Sequence, residues 1–175
     1  MAWSEELLAE LVEVLIRPEA QNGFGWSLAA AEAVAGYVRA AFPDGNPGTA
    51  LVADSLEVAR TLVRDPEDDH VVALALAAAA DCIITADKRG FMPTELLVSG
   101  ITLITPDRFL LDLYRDIPQE VLEAIDSQIS KTKAYPANRH DILSLLYRAG
   151  CRRFATEMSA LLALARPDPK QYAPT

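Results

Sequence analysis

The stretch that most constrains this chain is residues 64–87, RDPEDDHVVALALAAAADCIITAD. Residues 71–80 carry neither a charge nor a polar side chain, so a helix through them is apolar on every face and belongs in a core. Acidic residues bound the run on both sides, with Asp65, Glu67, Asp68 and Asp69 before it and Asp81 after it. Asp65 followed by Pro66 is a helix-start signal, an N-cap aspartate with proline at the first helical position. That register puts Asp68 in the first turn, where the helix dipole favours a carboxylate. Cys82, Ile83, Ile84 and Thr85 read as a short buried strand. A strand directly after a helix implies an α/β unit, and Asp87 falls at the carboxyl end of its strand, where open parallel sheets carry chemistry. The apolar run is far shorter than the roughly 20 residues needed to cross a bilayer.

The remaining signals are mostly helical. Ser4 caps a first helix with Glu5 and Glu6 in its opening turn and Leu7, Leu8, Leu11 and Leu15 at helical spacing, ended by Pro18. After a loop at 21–25, an alanine-rich helix is expected over 27–42, and the run at 43–48 is a loop. Residues 50–52 are expected as a marginal edge strand, with the following dozen undecided between helix and coil. Beyond Asp87 the pattern predicts a turn at 88–90, a short helix over 93–98, a second strand at 101–104 and a helix over 106–114. Three more helices are expected at 119–130, 139–149 and 152–165, with Gly150 breaking the last two apart. The tail 167–175 reads as disordered.

About half the 175 residues are apolar, enough for one domain with an appended subdomain. The N-terminus is acidic and lacks the basic start and apolar core of a signal peptide, so a cytoplasmic protein with no membrane association is expected. Cys82 and Cys151 fit neither a disulfide framework nor a zinc pattern. Charge is uneven: residues 1–130 hold 8 Lys and Arg against 22 Asp and Glu, and residues 131–175 hold 8 against 3. An acidic body repels nucleic acid unless cations intervene, whereas Lys131, Lys133, Arg139, Arg148, Arg152 and Arg153 could meet RNA or an acidic partner. The alternative for that basic segment is a solvated helical face.

Three carboxylates lie beside predicted core elements: Glu10 on the first helix, Asp68 before the buried helix and Asp87 after the strand. Converging carboxylates suit a hard dication such as Mg²⁺ or Mn²⁺, which couples to phosphate. Each also has an ordinary reading, as a surface glutamate, a helix-dipole partner and a turn aspartate respectively. Spacing alone leaves these open. Lys88 and Arg89 are either phosphate contacts or plain turn residues.

In order and spacing, SEELLAEL, DPEDDHVVALALAAAADCIITAD and GITLITPDRFL resemble the PIN-domain family over positions 4–110. Its members are metal-dependent ribonucleases, many of them VapC-type toxins of toxin–antitoxin pairs. PANRHDILSLLYRAGCRRFATEMSALL is similar to a C-terminal extension of actinobacterial members. The resemblance implies an α/β, three-layer fold with a small parallel sheet flanked by helices, over 1–116. A helical extension over 117–166 and the tail 167–175 follow. It maps the acidic positions onto Glu10, Asp68 (with Asp69 as rival or assistant) and Asp87, supported by Thr85, with Mg²⁺ or Mn²⁺ as cofactor. It also implies an RNA substrate, an antitoxin partner and a homodimer. The departure is at the start: the family's first strand and its aspartate are missing, since no aspartate precedes Asp44. Two functions therefore stand side by side, a metal-dependent endoribonuclease and an inactive PIN remnant that binds a partner protein. A third reading is an unrelated α/β binding domain.

Overall fold

The computed structural model describes residues 1–17, 26–131 and 136–164. Two compact units divide at Leu103 and Ile104. The first contains α1 (Glu5–Ile16), α2 (Leu28–Ala41), α3 (Thr49–Ala59), α4 (Asp69–Ala77), β1 (Cys82–Ile84) and α5 (Pro93–Val98). Its last element is β2 (Thr102–Ile104), which pairs with β1 in a two-stranded parallel sheet. The second unit is helical, with α6 (Pro106–Asp116), α7 (Pro118–Lys131), α8 (Arg139–Arg148) and α9 (Arg152–Leu164).

In the first unit the apolar run behaves as its composition demands. Val72, Ala73, Leu74 and Ala75 of α4 are all buried, packed with Ile83 of β1, Leu96 of α5 and Ile101. Val52 and Ala59 of α3 close the same core, and α3 lies along α4. This corrects the expectation at 50–52: those residues form the first turns of α3, not an edge strand. Leu51, Val52 and Leu56 are individually compatible with either state, and packing of Val52 and Ala59 against α4 decides for helix.

Helix α4 is also shorter at both ends than its sequence pattern. A single 3-10 turn, Pro66–Asp68, precedes it, and Asp65 Oδ1 caps that turn by accepting from the Glu67 amide at 3.0 Å. At the far end, the Ala79 amide donates to Leu76 and the Ala80 amide to Ala75. Ala79 there is left-handed, at φ 47°. This is a Schellman closure, which releases the chain into β1.

Helices α1 and α2 pair around Trp3, Leu8 and Ala35. Trp3 anchors the start of the chain: its ring N–H donates to the Phe42 carbonyl at 2.8 Å and its amide to Gly45 at 2.9 Å. Helix α1 ends at Ile16; the loop 21–25, Lys133 and the tail 167–175 lie outside the described residues.

The helical unit has its own core of Leu111, Val121, Ile125, Leu143, Phe154, Ala155 and Met158. Leu110, Leu111 and Leu113 commit α6 to this core, so α6 belongs to the helical unit. Asp107, near the start of α6, supplies the cap of α9: its carboxylate accepts from the Phe154 amide at 2.9 Å and the Arg153 amide at 3.3 Å. Among the described residues no helix is long and apolar enough to cross a membrane.

Candidate functional site

Two segments far apart in sequence are stapled together beside the sheet. The Gly90 carbonyl accepts from the amides of Arg64 at 2.7 Å and Asp65 at 3.1 Å, and the Met92 amide donates to Leu62 at 3.0 Å. Val63 and Phe91 form an antiparallel bridge between these contacts, and both are buried. The staple brings the turn before α4 against the loop after β1. Between them opens a cleft of about 440 Å³ lined by Arg64, Asp65, Pro66, Asp68, Asp87, Arg89 and Gly90.

Asp68 is the inner carboxylate of this cleft. It stands at the N-terminus of α4 but makes no capping hydrogen bond. Burial raises its carboxyl above the ordinary aspartate value; Asp65, Asp87 and Glu10 add to the rise and His70 opposes it. Three carboxylates therefore act on a fourth. Asp87 faces the same cleft under the opposite influence. The Arg89 guanidinium grips it through Nε–Oδ1 at 3.1 Å and a terminal nitrogen to Oδ2 at 2.9 Å, and the Arg89 amide donates to Oδ1 at 2.9 Å. Those side-chain bonds, then the backbone bond, lower the Asp87 carboxyl to about 2. Thr85 sets the turn, its hydroxyl donating to the Asp87 carbonyl at 3.0 Å and accepting from the Asp87 amide at 3.2 Å.

The other expected site residues are placed elsewhere. Asp69 turns away from the cleft to Arg60, the C-cap of α3, at 3.1 Å. Between the two rivals, Asp68 is the one that lines the cleft. Glu10, exposed on α1, lies 3.1 Å from His70 Nε2, while His70 Nδ1 lies 2.8 Å from the Glu67 carbonyl. Both ring nitrogens face acceptors, a pattern in which both donate only when the ring is protonated. His70 was not among the expected site residues, and neither was Asp65 as a cleft wall. A histidine directly after two aspartates is the local signal for the first; the second is hidden by its helix-cap role.

In the helical unit the basic residues are largely engaged. Arg139 holds Asp126 through paired bonds, Arg152 stands 5.8 Å above the Tyr147 ring, and Arg148 donates to the Ser144 carbonyl. Lys131 and Arg153 have exposed side chains.

Among the described residues no three His, Cys, Asp or Glu side chains stand close enough to hold one metal ion. Asp68 and Asp87 in an open cleft instead match the looser mode of Mg²⁺, which uses one or two carboxylates, waters and substrate phosphate oxygens. They do not match a closed all-protein cage.

A family model described as PIN domain matches residues 1–89, more than half of the chain. The chain belongs to the PIN-domain family. The matched region takes in both walls of the cleft up to Arg89, so Asp68 and Asp87 both lie within the PIN match. A second model, the VapC50 C-terminal domain, matches residues 106–160, spanning α6 to α8 and most of α9. The chain is thus of the VapC-type PIN family with a C-terminal extension. No curated protein and no solved structure matches it.

Proposed function

We propose that this PIN protein is a Mg²⁺- or Mn²⁺-dependent endoribonuclease, the toxin component of a toxin–antitoxin pair. One observation carries the reading: Asp68 and Asp87, from separate elements, line one open cleft together with Arg64 and Arg89. When bound, the cation would polarise a phosphodiester and activate a water. Asp68 and Asp87 would hold it. Burial, and after it the acidic neighbours, already disfavour the ionised Asp68, a cost that a dication would offset. Arg89 would exchange the Asp87 carboxylate for a substrate phosphate, which its planar fork fits equally well. Arg64 and Lys88 would add charge along the path of the RNA backbone. Glu10, tethered to His70, would act on the cation's water shell, with Asp69 fixing the start of α4 through Arg60. The basic face of the C-terminal extension would contact RNA or an acidic antitoxin, and the protein would act in the cytoplasm as a homodimer.

A second reading, a PIN-type module that binds a partner without cleaving RNA, draws support from the His70 contact that occupies Glu10 and the Arg89 ion pair that occupies Asp87. Incubating the purified chain with single-stranded RNA separates the two. The nuclease reading expects cleavage that Mg²⁺ supports, EDTA abolishes, and Asp68→Ala or Asp87→Ala reduces at least a hundredfold. Cleavage indifferent to EDTA and to both substitutions would overturn it. Intact RNA with all variants would favour the binding module.

A further inference from the structure

The loop after β1 passes the turn before α4 so closely that a side chain at position 90 would meet the Asp68 carboxylate where it now stands. An ideal Cβ built on Gly90 would lie 1.7 Å from Asp68 Oδ2 and 2.9 Å from its Cγ, both far inside contact distance. The next neighbour, Asp65 Cβ, would be at 3.3 Å, a contact that a shift of a few tenths of an ångström relieves. Gly90 is not among the residues with positive φ, so its backbone suits an L side chain, and what stands in the way of one is the Asp68 carboxylate. The Asp68 carboxylate fills the volume that a side chain at 90 would occupy.

The backbones on either side have little room to retreat. Gly90 accepts two amides from the facing segment, and the bridge between Val63 and Phe91 buries the Phe91 ring to 3 % exposure. Pulling the two segments apart would break those bonds and wet that ring. The Asp68 carboxylate is by contrast the end of a rotatable side chain. When a methyl group enters at position 90, the carboxylate is the part that gives way.

We propose that Gly90 is the positioning residue of the acidic cleft. Its missing side chain is the seat of the Asp68 carboxylate and allows that carboxylate to share the cleft with Asp87. The consequence for cation binding rests on the function proposed above; the seating of Asp68 does not.

Gly90→Ala tests the assignment in two ways. In a crystal structure of the variant, Asp68 should adopt a different rotamer while the backbone of 62–65 and 90–92 superposes on the native chain. In a Mn²⁺ titration the variant should bind roughly tenfold more weakly or worse, the range seen when a group that orients a metal ligand is replaced. In an Asp68→Ala background, Gly90→Ala should neither weaken Mn²⁺ binding further nor lower the melting temperature. Should Gly90→Ala prove unstable, adding Asp68→Ala should restore its melting temperature, because the clash is with that carboxylate. An unmoved Asp68 rotamer, a persistent effect in the Asp68→Ala background, or no restoration would each overturn the proposal. If the native chain itself takes up no Mn²⁺, the cation reading fails, and the Asp68 rotamer still decides the role of Gly90.

Discussion

At the scale of single residues, Asp68 and Asp87 are shifted in opposite directions, and the two shifts have opposite consequences for stability. Asp87, lowered to about 2 from the ordinary 3.8, contributes stability above 3.8 that disappears as pH falls toward 2. Asp68 is raised from 3.8, so its contribution is present below that value and disappears as pH rises through its elevated one. At neutral pH and without dications, the ionised Asp68 therefore opposes folding. Asp68→Asn should raise the melting temperature at pH 7 in EDTA, and the gain should shrink as pH falls through the elevated Asp68 value and be lost below 3.8, where the carboxyl is protonated in both states. A variant less stable than the native chain at pH 7 would show that the carboxylate is compensated by a contact of its own. The Arg89–Asp87 pair contributes little in comparison, because the Arg89 side chain is 91 % exposed and the pair is screened by water.

At the scale of elements, α4 was legible because its apolar run leaves only one environment possible. Its two ends were not. The 3-10 turn Pro66–Asp68 and the Schellman closure at Ala79 depend on backbone bonds that composition does not announce. The same closure recurs after α5 at Gly100 and after α8 at Gly150, each with glycine at the left-handed position. Gly150 was recognisable as a break for that reason; Ala79 carries no such mark. Left-handed backbone costs an L residue about 1–2 kcal/mol, partly offset by the greater freedom of glycine in the unfolded chain. Ala79→Gly should therefore stabilise the chain by about 0.5–1 kcal/mol in a denaturant titration, and destabilisation would mean that the alanine methyl is packed. Helix α3 was missed for another reason. Its leucines and valines fit strand or helix, and only the facing surface of α4 distinguishes them.

The site divides along the same line. Asp68 and Asp87 were readable because each sits at the edge of an unambiguous element. The His70–Glu10 contact spans 60 residues, and the fit of Gly90 to Asp68 exists only once the staple forms. Neither leaves a local trace. Asp69 stood as a rival to Asp68 in sequence because the two are adjacent, and one residue's rotation separates the cleft from Arg60.

At the scale of the whole molecule, the two units carry different chemistry. The acidic cleft belongs wholly to the unit ending at Leu103, while the basic excess falls in residues 131–175. Arg139 is bound to Asp126, and the other basic residues described in that stretch are Lys131, Arg148, Arg152 and Arg153. Replacing those four by glutamine should flatten the log–log dependence of RNA affinity on salt by roughly 0.7 for each phosphate that the variant no longer neutralises. An unchanged slope would remove the helical extension from the RNA path and leave it to bind protein.

In the proposed function, Asp68 and Asp87 together hold one hard dication. Calorimetric titration of Mn²⁺ into the native chain, Asp68→Asn and Asp87→Asn tests it most directly. The native chain should take up one ion, and each variant should lose at least tenfold in affinity. Equal binding by all three proteins would contradict it.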